Sequence, residues 1–112
     1  MEIDLKDING IAVVSIAGEL DALSASELTD FFASRVGDSY INLVTDLESL
    51  SYSSSAGIRV FLGLARFFRQ KGGDMRIAAI RPPVEKIFKL SKFDRIVKIF
   101  PSVEDAIKSF DK

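Results

Sequence analysis

Residues 50–73 read LSYSSSAGIRVFLGLARFFRQKGG, and how this stretch folds decides the architecture of the chain. Three consecutive serines, Ser53, Ser54 and Ser55, and the small pair Ala56 and Gly57 stand directly before a long apolar pattern. Ile58, Phe61, Leu62, Ala65 and Phe68 recur at helical spacing and trace one stripe, while Arg59, Gly63, Arg66 and Gln70 fall on the opposite face. Gly72 and Gly73 stop the helix, since glycine accepts the backbone angles of a helix C-terminus at little cost. Val60, Leu64 and Phe67 widen the apolar arc, as suits a helix that covers a sheet and meets a neighbouring helix; partial exposure to a partner is the alternative.

Upstream, YINLVTDL (40–47) supplies a buried strand through Ile41, Leu43 and Val44, ended by Asp46 and Glu48 around Leu47. The serines therefore occupy a strand-to-helix turn. Downstream, MRIAAI (75–80) is a further strand, and Pro82 and Pro83 suit the start of a short helix carrying Val84, Ile87, Phe88 and Leu90. Ile96, Val97 and Ile99 predict a last strand, and Ser102 after Pro101 introduces a terminal helix with Val103, Ala106, Ile107 and Phe110. Strands alternating with helices run parallel in one sheet, joined by right-handed crossovers.

The beginning differs. Ile3, Leu5 and the run Ile11 to Ala17 flank Asn9-Gly10, a pair that readily adopts positive φ, so a β-hairpin opens the chain. Ser24 and Glu27 read as a capping box for a first helix over 24–36, with Leu28, Phe31, Phe32 and Val36 at helical spacing. The expectation is an α/β fold: one domain over residues 1–112, with a mixed, mostly parallel sheet of about five strands and about four helices.

Composition narrows the chemistry. With 112 residues and 47% hydrophobic content, the chain suits a single core. Fifteen basic and sixteen acidic side chains give a net charge of −1, which provides no electrostatic footprint for nucleic acid or an anionic membrane. Histidine and cysteine are both absent, which removes His-based triads, Cys nucleophiles, zinc sites with N or S ligands and disulfides. No metal or cofactor is expected. The first residues are charged and their apolar positions alternate, unlike a secretory signal, and no apolar run approaches membrane-spanning length. Cytoplasm is the expected location.

At the strand-to-helix turn, a serine hydroxyl can cap backbone N–H groups that lack helical partners. Capping needs one serine, not three. Ala56 and Gly57 keep the first turn uncluttered, and a helix N-terminus favours negative charge, as a phosphate would bring. Reading Ser55 as an enzymatic nucleophile fails, because no G-x-S-x-G surrounds it and no histidine is available as base. A non-enzyme is expected.

From Ile3 to Phe110 the chain resembles STAS domains of the bacterial anti-sigma factor antagonist type. Ser54-Ser55-Ala56-Gly57-Ile58 takes the place of that family's Asp-Ser-Ser-Gly or Asp-Ser-Ala-Gly motif and its following aliphatic residue, and Gly18-Glu19-Leu20-Asp21-Ala22 is similar to its early Gly-Glu-Leu-Asp-Ala signature. The resemblance implies a protein that binds an anti-sigma factor with serine kinase activity, is switched off by phosphorylation, and answers to a cognate serine phosphatase. It implies Ser55 as acceptor, with Ser54 and Ser53 as alternatives, and a partner surface of Asp21, Ser54, Ala56, Gly57 and Ile58 on a monomer or weak dimer. For Asp21 a turn aspartate preceding the first helix is the competing reading. Ser54 departs from the family, offering a neutral hydroxyl in place of a carboxylate. The alternatives within the same fold are a nucleotide- or ligand-sensing module and a scaffold subunit of a larger signalling assembly.

Overall fold

Asn9 and Gly10, at φ of 54° and 79°, turn the chain between β1 (Glu2–Ile8) and β2 (Ile11–Leu20), the hairpin the Asn-Gly pair predicts. The computed structural model describes residues 1–111. β2 pairs antiparallel with β1 and parallel with β3 (Leu43–Asp46), and β5 (Met75–Ala78) and β6 (Ile99–Phe100) continue the parallel part. The order is β1-β2-β3-β5-β6. β4 (Leu50–Ser53) stands off this path and pairs in parallel with the end of β2, where the register shifts between Gly18 and Glu19.

β4 makes the sheet six-stranded among the described residues, one strand more than expected. LSYS carries no apolar run, and only Leu50 and Ser53 turn inward. Pairing with β2, not hydrophobic period, makes it a strand.

Inward and outward residues alternate along β2. Ala12, Val14 and Ile16 join the larger core beneath α1 (Ala22–Phe31), α2 (Ser55–Gln70) and α3 (Pro82–Leu90), while Ile11 and Val13 meet α4 (Val103–Lys108) on the other face. Phe61 of α2, Phe88 of α3 and Phe93 form the centre of the larger core, with ring centroids 5.9 Å apart for Phe61–Phe88 and 5.1 Å for Phe88–Phe93. All three are buried, which fixes α2 and α3 against each other and against the sheet. The architecture is the expected α/β domain with four α-helices and a mixed, mostly parallel sheet.

Several boundaries move. The first helix starts at Ala22, not Ser24, because Asp21 is its cap and Ser24 stands at the third helical position. Its end is a π-helical turn, Phe32–Val36, closed by the Gly37 N–H donating to the Phe32 carbonyl at 2.7 Å. Ile41 is 56% exposed, and the strand begins at Leu43, whose N–H donates to the Asp74 carbonyl at 3.0 Å. Ile96 is likewise exposed and Leu90 is 76% exposed; a 3₁₀ turn, Phe93–Arg95, intervenes before the short β6. Val60, Leu64 and Phe67 face α1 across an apolar groove shared with Thr29, Phe32 and Val36, yet Phe67 keeps 39% of its surface.

Candidate functional site

The parallel pairing of β2 and β4 brings two helix starts side by side. Leu20 lies opposite Ser53, and the Ser54 N–H donates to the Leu20 carbonyl at 2.7 Å. The next residue on β2 is Asp21, cap of α1, and Ser54 is the cap of α2. The C-terminal ends of β2 and β4 therefore present the two segments that the sequence singled out separately.

At α2, the Ser54 Oγ accepts the Gly57 N–H at 3.3 Å, and the Ser54 carbonyl accepts the Ile58 N–H at 3.1 Å. The Ser53 hydroxyl donates to the same carbonyl at 3.1 Å and is 1% exposed. Capping falls to Ser54 and packing to Ser53, so Ser55 serves neither purpose. Ser55 is the first residue of the helix and is exposed.

Gly57 is buried. A Cβ there would lie 2.5 Å from Ser53 Oγ and 2.7 Å from Leu20 Cδ2, so the glycine lets α2 settle onto the ends of β4 and β2. The missing side chain makes room for the protein itself, so Gly57, expected on the partner surface, leaves little of itself exposed. Ala56 and Ile58 are partly buried and pack against the same core, leaving only part of each to a partner. Ser53, an alternative acceptor in the sequence reading, is buried in this fold.

Asp21 is exposed and caps α1 through a reciprocal pair of bonds. Its Oδ1 accepts the Ser24 N–H at 2.9 Å, and the Ser24 Oγ accepts the Asp21 N–H at 2.8 Å. The Ser24 backbone N–H, aided by the Ser24 hydroxyl at 2.9 Å, holds the Asp21 carboxyl below its ordinary pKa of 3.8. The capping box is thus Asp21 with Ser24, in place of Ser24 with Glu27. Asp21 is both the helix-start aspartate of the competing reading and an exposed charge beside the serine turn.

Two further exposed residues flank the site: Leu23, 75% exposed in the first turn of α1, and Tyr52, 46% exposed on β4. Sequence reasoning passed over both. Leu23 lies off the apolar stripe of its helix, and Tyr52 sits in a strand that the pattern did not reveal.

The site offers an unengaged hydroxyl at the positive end of a 16-residue helix, with an exposed aspartate at the adjoining helix start. Among the described residues no group of three or more acidic, His or Cys side chains is placed to hold a metal, and no helix is long and apolar enough to cross a membrane.

The STAS domain model matches residues 2–106. BtrV of Bordetella bronchiseptica, provisionally named an anti-sigma factor antagonist, is 31% identical over 98% of this chain and 95% of its own length. A Thermotoga maritima crystal structure, provisionally described in the same way, superposes with a TM-score of 0.91 at 19% identity, covering 98% of this chain and 95% of that one. The antagonist SpoIIAA in its unphosphorylated form gives a TM-score of 0.83 at 21% identity, covering 96% of this chain and 95% of its own. The Bacillus SpoIIAA in its phosphorylated form gives 0.73 at 20%, covering 96% and 98%. These names are those of regulators, not of enzymes. With one family model spanning nearly the whole chain and a relative above 30% identity, the chain belongs to the STAS domain family.

Proposed function

We propose that this protein is an anti-sigma factor antagonist whose partner is an anti-sigma factor with serine kinase activity, and whose binding ends when Ser55 is phosphorylated. The single observation that carries the reading is the division of labour among the serines. Ser53 is buried, Ser54 caps α2, and Ser55 alone is exposed without a structural task. In the transfer, Ser55 Oγ takes the terminal phosphoryl group of ATP, loses its proton and releases ADP. A cognate serine phosphatase returns the hydroxyl by hydrolysis.

The partner surface comprises Asp21, Ser54, Ser55, and the exposed parts of Ala56 and Ile58, rimmed by Leu23 and Tyr52. Apolar residues of this size beside polar caps suit a contact that dries on binding. A phosphoserine adds about 1.5 to 2 negative charges. At its own helix N-terminus that charge is favourable by about 0.3–1 kcal/mol, so the fold survives. Within a dried interface the dianion must lose its hydration, and about 2.8 kcal/mol suffices for a hundredfold loss of affinity.

Affinity capture with the wild-type chain and with Ser55→Ala, followed by mass spectrometry of bait and prey, tests this. The expected prey is an ATPase-domain protein with an associated sigma factor, and the expected phosphate lies on Ser55 of the wild-type bait. With that prey in hand, Ser55→Glu should lower affinity at least about a hundredfold while shifting Tm little. A Ser55→Glu chain that melts sharply earlier yet binds normally would end the proposal.

A further inference from the structure

α2 carries no acidic side chain between Ser55 and Gln70; its charges are Arg59, Arg66 and Arg69. Arg69 is held by Asp74 at 2.9 Å, whereas Arg59 and Arg66 enter none of the ion pairs among the described residues. Ser55, Arg59, Gly63 and Arg66 follow one another at i, i+4, i+8 and i+11, and all four are exposed. They form one outward stripe that begins at the candidate acceptor.

Helical side chains lean toward the N-terminus, so the side chain of residue i+4 covers the turn where residue i stands. The Cβ atoms of such neighbours lie about 5–6 Å apart, well within the reach of an arginine. Arg59 also borders the apolar groove between α1 and α2, together with Thr29, Phe32, Val60, Gly63 and Leu64. Gly63 has nothing within 4 Å of where a Cβ would stand, so the helix surface one turn beyond Arg59 is open.

We propose that Arg59 is the counter-ion of the switch: it presents its guanidinium to an acidic partner surface while Ser55 is free, and closes onto the phosphate when Ser55 is modified. This deepens, and rests on, the reading of Ser55 as acceptor. The unmodified stripe carries the two positive charges of Arg59 and Arg66; a dianion at Ser55 cancels them. Modification then removes an attraction as well as adding a repulsion. Arginine suits the task, because its planar fork can give two parallel hydrogen bonds to phosphate oxygens. Among the other charged groups near the ends of these strands, Asp21 at the start of α1 and Glu19 at the end of β2 act in the opposite sense on a phosphate.

The test is a ³¹P NMR titration of the full chain with phosphoserine installed at position 55 during synthesis, in four forms: otherwise wild type, Arg59→Gln, Arg59→Lys and Arg66→Gln. A cation beside the phosphate favours the dianion, so its second pKa should lie about 0.5 pH unit lower in the wild type than in Arg59→Gln. Arg59→Lys should restore most of the shift, Arg66→Gln should leave it intact, and added salt should shrink it. Equal values in the wild type and Arg59→Gln would overturn the proposal, leaving the helix N-terminus alone to set the phosphate. Equal effects of Arg59→Gln and Arg66→Gln would also overturn it, by revealing a diffuse field instead of a pair. Because the phosphate is installed, the titration stands apart from the cellular reading: phosphate found in cells on Ser54 would defeat Ser55 as acceptor without touching this measurement.

Discussion

The starts of α1 and α2 lie side by side where β2 and β4 end, yet they are held by different forces. α1 begins with a charged cap, Asp21, tied to Ser24 by bonds running in both directions and exposed to water. α2 begins with a neutral cap, Ser54, making one bond of 3.3 Å, and draws its position from Gly57 pressed onto Leu20 and Ser53. The first is anchored by hydrogen bonding and charge, the second by close packing. The lesson is that a helix start fixed from behind has no need of charge in front, so the outward hydroxyl of Ser55 is left for another use.

The sharpest way to break this contrast is Gly57→Ala. The added methyl group meets Ser53 Oγ and the buried Leu20 side chain, so these side chains or the first turn of α2 must shift, and a loss of about 1–3 kcal/mol is expected in urea unfolding. Partner binding should fall with it if the turn moves. A neutral outcome would show that packing does not place α2. Ser54→Ala should cost less, about 1 kcal/mol, the usual worth of a lost cap, with Ser54→Asp restoring stability. If Ser54→Ala cost as much as Gly57→Ala, the cap rather than the packing would be the anchor.

The smallest effect belongs to Asp21 and is seen in acid. Its folded-state pKa is depressed, so its contribution is complete above the unfolded value and is lost as pH falls through the folded one. Asparagine caps nearly as well but does not titrate. Melting temperatures of wild type and Asp21→Asn should therefore run together near neutrality, with the wild type falling more steeply below about pH 4. Parallel curves down to about pH 2 would remove the charge from the α1 cap.

Much of this was legible in the sequence. The hairpin followed from Asn9-Gly10, and α2 from apolar spacing ended by Gly72 and Gly73, because these signals are local. β4 escaped notice because LSYS has no period of its own, and Ile41, Leu90 and Ile96 were misjudged because an apolar residue at an element's end can face water. The serine turn stood out from its composition, but the roles of its three hydroxyls did not, since burial depends on strands that the local pattern could not place.

By itself, then, the sequence determined the alternation of elements, the absence of histidine and cysteine chemistry, and the resemblance carried by residues 18–22 and 54–58. Only the tertiary structure decided that Gly57 serves internal packing, that Asp21 and Ser54 stand side by side, and that Ser55 is the exposed hydroxyl without a structural task. The physical reason is that periodicity and capping act over a few neighbouring residues, whereas these assignments arise where β2 meets β4, joining segments more than thirty residues apart.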